Sequence, residues 1–468
     1  MNGATGKKDP AGSVRRILVL WLPFLGLIVD LAIYGFVWIN CYYEPKIRYN
    51  LKFYFKGHVV ILVIYLVLLI FFMQTYGGFK VGYLKPLDVI LSQVFSLAAV
   101  NAITYLQLSL MAVSLVRVRF ILLMMLIQCA VSVVWIFFCD DMYKRTFPPK
   151  KVLLIHGDRS VERILHKFES RPERFDIRKC IGISEGLDTV MEELDKGYEA
   201  AALWDLPTAE RNRLIKYCYG KGIRMYTMPK IPDVLLSGSS SLHLFDTPIY
   251  MTREYPLTFL QRLAKRAIDV TCALILLIIA SPVMLITALA VHLYDKGPVF
   301  YKQVRCTIGQ KEFEIIKFRS MRTDAEKDGI ARLSSVGDDR ITPVGRFIRK
   351  VRIDELPQLI NILAGDMSFV GPRPERPEII EQYVKTMPEF VFRMKVKAGL
   401  AGYAQVYGKY NTTPYDKLKL DLSYIQNYSV WLDLKLMLLT LKILFQPEST
   451  EGVSEGSITA QEYEQDEK

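Results

Sequence analysis

Apolar and polar positions along the chain form a succession of distinct patterns. Four long apolar runs come first, at 17–40, 58–76, 87–116 and 120–139, each near or above the length that spans a bilayer as a helix. They predict a four-helix transmembrane bundle over residues 1–145. The first run is too long for a signal peptide and lacks a small-residue cleavage site. From residue 151 the runs shorten and alternate with amphipathic stretches, at 152–155, 161–168, 177–181, 187–194, 200–204, 209–219 and 223–228. That rhythm predicts a small Rossmann-like α/β domain with a parallel sheet over 146–250, closing at the loop Ser237-Gly238-Ser239-Ser240-Ser241. A fifth apolar run, 267–293, is again long enough to cross a membrane, but Ser281-Pro282 interrupts it near its midpoint. Proline removes a backbone donor there and kinks or breaks the helix. Each half is about 15 to 21 Å long, so a re-entrant helix-break-helix is available beside a kinked spanning helix. The tail, 446–468, is acidic, has Tyr463 as its one aromatic residue, and is expected to be disordered.

Composition agrees with the runs. The 468 residues are 51% hydrophobic with a mean hydropathy of +0.19, which excludes an ordinary soluble protein. The net charge of +12 comes largely from basic residues flanking apolar segments. Attraction to anionic lipid accounts for them better than nucleic-acid binding does. Lys7, Lys8, Arg15 and Arg16 precede the first run, and Lys144, Arg145, Lys150 and Lys151 follow the fourth. This favours both ends on the cytoplasmic side, although Lys46, Arg48, Lys52 and Lys56 between the first two runs pull the other way. Asp30 lies within the first run, where an ionisable residue is either functional or, close to the run's end, interfacial. The seven cysteines show no paired spacing and are expected to be free thiols, and the five scattered histidines support neither a zinc centre nor a histidine triad. In the α/β domain the first turn, His156-Gly157-Asp158-Arg159-Ser160, lacks the glycines of a dinucleotide fingerprint. A regulatory or dimerising role fits that domain, with a ligand-free spacer as the competing reading; subunit number is open.

Candidate chemistry concentrates at Arg349-Lys350-Val351-Arg352-Ile353-Asp354-Glu355-Leu356-Pro357 and at Gly371-Pro372-Arg373-Pro374. Asp354 reads as the N-cap of a helix with Pro357 in its first turn, where exposed amides and the helix dipole would keep it ionised and draw a phosphate. An ionised carboxylate can attack phosphorus, provided cations offset the phosphate charge; Arg349, Arg352 and Arg373 are placed for that. Glu355 is suited to a hard cation such as magnesium. Taken alone, an Asp-Glu pair at a helix start is ordinary capping. Arg305, Lys317 and Arg319 suit phosphate contact or a lipid-facing basic surface, with phosphate contact favoured for Arg319. The stretch 431–445 reads as an interfacial helix or as a core-packing one.

Read together with Gly297-Pro298-Val299-Phe300-Tyr301-Lys302-Gln303-Val304-Arg305, Phe313-Glu314-Ile315-Ile316-Lys317-Phe318-Arg319-Ser320-Met321 and Lys397-Ala398-Gly399-Leu400-Ala401-Gly402-Tyr403-Ala404-Gln405-Val406, this set closely resembles the bacterial sugar transferase family, the monotopic polyprenyl-phosphate sugar-1-phosphate transferases. The resemblance covers roughly 259–445, and the N-terminal half resembles the preface of long-form members. It implies a catalytic domain over 251–445 on the cytoplasmic face of a bacterial inner membrane, a UDP-sugar donor, an undecaprenyl phosphate acceptor and Mg2+. It further implies that Asp354 attacks the sugar-bearing phosphate and expels UMP, that Glu355 binds the metal, that Arg349 and Arg373 contact phosphate or nucleotide, and that Ser281 and Pro282 break a re-entrant helix. The product would initiate exopolysaccharide, capsule or O-antigen assembly. Ala398, Ala401 and Tyr403 depart from the family pattern, where proline, threonine and tryptophan are usual. A non-catalytic membrane scaffold that senses nucleotide-sugars is the alternative from another class, and a glycosyltransferase releasing UDP is a further one. The sugar transferred is not legible.

Overall fold

The computed structural model describes residues 10–48, 51–52, 54–157, 161–244, 246–252, 256–322, 340–408 and 412–443. The acidic tail therefore lies outside the described residues. The chain divides into two compact units, Met1–Met228 and Pro229–Lys468.

The first unit opens with four long apolar helices, α1 (Pro10–Val37, continuing as π-helical turns over Trp38–Ile47), α2 (Phe55–Tyr76), α3 (Pro86–Met111) and α4 (Val118–Thr146). With the long helix of the second unit they make five helices long and apolar enough to cross a membrane. Their ends follow local chemistry: Pro86 occupies the first turn of α3, and Gly77 caps α2 in a left-handed conformation (φ 84°).

After the helices come β1 (Lys150–His156), α5 (Glu162–Glu169), β2 (Phe175–Gly182), α6 (Leu187–Leu194), β3 (Ala200–Trp204), α7 (Thr208–Lys221) and β4 (Arg224–Thr227). The strands form one parallel sheet in the order β2-β1-β3-β4. Because strand side chains alternate, Leu153 and Ile155 face α6 and α7, while Val152 and Leu154 face α5.

The second unit begins earlier than the pattern of short runs predicts. Residues 229–250 pack with the C-terminal unit rather than closing the α/β domain, because Ile231 and Val234 of α8 (Ile231–Ser237) belong to its core. The predicted serine loop is partly strand, since Ser240 and Ser241 open a hairpin of β5 (Ser240–Leu244) and β6 (Thr247–Met251). Then come α9 (Phe259–Asp295), β7 (Phe300–Cys306), β8 (Glu312–Phe318), α10 (Pro343–Lys350), α11 (Gln358–Ala364), β9 (Met367–Val370), α12 (Pro377–Thr386), β10 (Ala398–Ala401), α13 (Tyr403–Tyr407), α14 (Pro414–Gln426) and α15 (Val430–Ile443). Within α15, Asp433, Leu436, Leu439 and Lys442 are buried, as expected where this helix packs on the core.

Helix α9 is continuous over 37 residues, so Ser281-Pro282 is not a break in it. The reason is local: Pro282 cannot donate to the carbonyl of Ile278, and the Ser281 hydroxyl donates there instead, at 2.8 Å. Both ends of α9 are fastened to the second unit. Near its start, the buried Lys265 ammonium donates to the Val370 carbonyl (2.8 Å) and pairs with Asp433 (2.7 Å), Arg266 donates to the carbonyls of Ile362 and Leu363, and Asp269 accepts from Ser368 and Phe369. At its end, Val291 packs on Phe318 and Ile348, and Asp295 pairs with Arg319. Between these anchors the side chains of Leu274, Ile278, Ile279, Leu285 and Ile286 are exposed.

Candidate active site

Four segments build the site. The antiparallel β7–β8 hairpin buries Phe313 and Ile315 in the core and Phe318 against the end of α9, with Lys317 near the end of the strand. Helix α10 starts at Thr342, whose hydroxyl accepts from the Gly345 amide at 2.9 Å. It ends at a reversal made by Arg352, a non-glycine residue at φ 59°. A single 3₁₀ turn, Ile353–Glu355, follows, and α11 begins only at Gln358 with Pro357 before it. Asp354 is therefore not a helix N-cap, correcting the reading drawn from the sequence: the left-handed Arg352 closes a separate turn first. From α11 the chain enters β9, which pairs in parallel with β10 and delivers the Gly371–Pro374 turn to the 3₁₀ turn.

The two carboxylates occupy different environments. Glu355 Oε1 lies 2.9 Å from Arg373 Nη2, 3.3 Å from Lys317 Nζ and 3.7 Å from Arg352 Nη1. Burial would raise this carboxyl, but Arg373, Lys317 and Arg352 outweigh it and hold it well below the ordinary range. Asp354 is buried, and its Oδ1 has no hydrogen-bond partner. Burial pushes it up to about 6, aided by the Glu355 charge and opposed by Lys317, Arg352 and Arg349. The helix start expected to keep Asp354 ionised is absent, and burial shifts it toward the neutral form instead. Burial also pulls the Lys317 ammonium below its usual value, against the attraction of Glu355.

Other predicted positions divide. Lys317 and Arg373 meet at Glu355, and Arg349 acts on Asp354 through its charge. Arg305 instead donates to Gln303 Oε1 (2.7 Å) and to the Pro374 carbonyl (3.2 Å), and lies 3.6 Å from Glu375, bracing the turn that carries Arg373. Arg319 is buried against Asp295, so it fastens the end of α9, and the preference for phosphate contact there is not supported. Sequence reasoning missed Arg393. This buried side chain bonds Asp421 at 2.8 and 3.0 Å and donates to the Arg373 carbonyl at 3.0 Å, so it sets the backbone from which Arg373 reaches Glu355. Asp421 is equally buried. The available signal was charge inside otherwise core-like stretches, as it was for Lys265 and Asp433.

Among the described residues no group of three or more His, Cys, Asp or Glu side chains is arranged to hold a metal ion. Asp354 and Glu355 nonetheless fit magnesium, which takes one or two carboxylates and fills its remaining positions with water and phosphate oxygens. The unpartnered Asp354 Oδ1 leaves an acceptor open for that contact.

Residues 260–447 match the model of the family described as bacterial sugar transferase. The chain is 36% identical over 238 residues to a UDP-N-acetylgalactosamine-undecaprenyl-phosphate N-acetylgalactosaminephosphotransferase of Aeromonas hydrophila, covering 50% of this chain and 55% of that protein. It is 39% identical over 192 residues to a UDP-glucose:undecaprenyl-phosphate glucose-1-phosphate transferase of Caulobacter vibrioides, covering 40% of this chain and 72% of the relative. Against the uncharacterized sugar transferase EpsL of Bacillus subtilis the identity is 38% over 199 residues, covering 42% of this chain and 95% of the relative. The chain spans about half the length of several curated relatives it matches. With the motif residues gathered around Glu355 and near-complete coverage of a short relative, the chain belongs to the bacterial sugar transferase family.

Proposed function

We propose that the protein transfers a sugar-1-phosphate from a UDP-sugar to undecaprenyl phosphate through an aspartyl phosphosugar intermediate. The carrying observation is the buried Asp354 oxygen without a partner, beside a carboxylate ringed by cations. It is supported by the printed activities of the A. hydrophila and C. vibrioides relatives.

In this reading an Asp354 oxygen bonds to the sugar-bearing phosphorus while the bond from that phosphorus to the bridging oxygen breaks. UMP departs with that oxygen and its charge. An oxygen of the lipid phosphate then bonds to the same phosphorus, the bond to Asp354 breaks, and the carboxylate is restored. Lys317, Arg349, Arg352 and Arg373 offset the charge of the phosphate oxygens in both displacements. Asp354 and Glu355 would hold magnesium, which supplies further neutralisation of the diphosphate.

The reaction needs a donor from the cytoplasm and a lipid acceptor, so the site belongs on the cytoplasmic face of the inner membrane. A straight α9 would be about 55 Å long. Its two ends dock on one unit while its apolar centre is exposed, which supports a helix bent at Pro282, without a break in its hydrogen bonding, that dips into the membrane and returns on the same side. The test incubates the purified full-length protein with UDP-glucose, UDP-galactose and their N-acetylated counterparts plus undecaprenyl phosphate. Lipid-linked sugar phosphate with UMP release supports the proposal; release of UDP, or no product from folded protein, counts against it.

A further inference from the structure

The four apolar helices of the first unit enclose a polar core to which the transferase reading assigns nothing. Tyr65 of α2 donates to Asn101 of α3 (3.1 Å), Asn101 donates to Gln128 of α4 (3.0 Å), and Gln128 donates to the Tyr65 hydroxyl (2.9 Å), closing a ring. Gln128 also donates to the backbone carbonyl of Asp30 on α1, at 3.2 Å. The Tyr34 ring stacks on Tyr65 with centroids 3.9 Å apart. Asp30 is 4% exposed and Tyr34 and Thr104 are 1% exposed, yet Asp30 Oδ1, the Tyr34 hydroxyl and the Thr104 hydroxyl lack hydrogen-bond partners.

Depth makes these groups unusual. Asp30 falls midway along the apolar segment Arg16–Pro45 and Tyr65 midway along Phe55–Tyr76, which favours mid-depth for Asp30 over the interfacial placement its sequence position also left open. Among the described residues of these helices no lysine or arginine is buried. The titratable groups facing Asp30 are Tyr34 on its own helix, Tyr65 on α2 and Cys129 on α4; Asn101 and Thr104 on α3 are neutral. A carboxylate charge at mid-membrane without a cation is expensive, and a neutral acid is not.

We propose that Asp30 is an intramembrane proton-binding site: a carboxylic acid held neutral at mid-depth, whose ligand is one proton and whose surroundings are the Tyr65-Asn101-Gln128 ring with the open hydroxyls of Tyr34 and Thr104. The site is independent of Asp354 chemistry.

A hydrophobic carbodiimide tests it on the full-length protein in lipid nanodiscs. The carboxyl proton passes to a carbodiimide nitrogen, the carboxylate oxygen bonds the central carbon, and the O-acylisourea rearranges to a stable N-acylurea, with nothing lost. Peptide mass spectrometry is expected to find the adduct on Asp30 at pH 7, with a yield that falls as pH rises and does not change when choline replaces sodium or potassium; Asp30→Asn loses it entirely. Protection specific to sodium or potassium would make the site a cation site and overturn the proposal. Thermal unfolding of the wild type and Asp30→Asn requires no reagent access. The two are expected to melt together near pH 4, about where the unfolded carboxyl ionises, and to diverge as pH rises from there, the wild type falling below the variant. Divergence supports the proposal even without an adduct, whereas parallel curves with the variant lower at every pH would show a charged, paired carboxylate and overturn it.

Discussion

Asp354 and Glu355 are adjacent in sequence and opposite in pairing: Glu355 Oε1 lies within 3.7 Å of three cationic side chains, while Asp354 Oδ1 is buried with no partner. Glu355 gathers the cations, and Asp354 keeps an open oxygen for the proposed attack on phosphorus. Asp354→Asn should abolish UMP release, whereas Glu355→Gln should leave Lys317 and Arg373 without their anion and weaken donor binding along with turnover. A radiolabelled-donor assay that separates KM from kcat checks both.

Proton occupancy of Asp354 has opposite consequences for rate and stability. As the proposed nucleophile it must be ionised, so turnover should fall as pH drops through about 6. Its folded-state value lies above that of the unfolded chain, so its contribution to stability is present at low pH and lost as pH rises through about 6. At pH 7.5 Asp354→Asn should therefore be the more stable protein, by on the order of 3 kcal/mol, with the difference vanishing near pH 4. Thermal melts of the two proteins across that range measure it.

Arg393 and Asp421 form a buried pair whose arginine also holds the Arg373 carbonyl. Arg393→Met leaves Asp421 charged and alone, which should destabilise the protein by about 3–5 kcal/mol. Adding Asp421→Leu should restore much of the melting temperature. It should not restore full activity, because the Arg373 carbonyl then lacks the donor that holds its backbone in place.

Gly371 is required by close approach: a Cβ there would meet the Lys397 carbonyl oxygen at 2.3 Å and the Gly399 amide at 3.0 Å. Gly371→Ala must push β9 and β10 apart two residues before Arg373. A displacement near 1 Å is expected to lower UMP release on the order of 100-fold, read in the same radiolabelled assay.

Much of this architecture was legible because it is local. Long apolar runs gave helices α1 to α4, strand-helix alternation gave the parallel sheet, and local charge chemistry together with the family resemblance pointed to Asp354, Glu355 and Arg373. What was not legible depends on distant partners. Arg319 looked like a phosphate ligand until folding placed Asp295 against it, and nothing near Lys265 in the chain announces Asp433, 168 positions away. Asp354 was misplaced at a helix start because periodicity does not reveal that Arg352 adopts a left-handed conformation. The unit boundary at Pro229 was missed because Ile231 and Val234 find their neighbours in a core assembled far downstream.

The covalent step is tested most directly by mass spectrometry of the protein incubated with a UDP-sugar it accepts and no lipid acceptor. The account predicts a sugar-phosphate adduct on the peptide carrying Asp354, formed with one equivalent of UMP, discharged by adding undecaprenyl phosphate, and absent in Asp354→Asn. Turnover in the complete reaction without any such adduct, or with Asp354→Asn retaining activity, would contradict it.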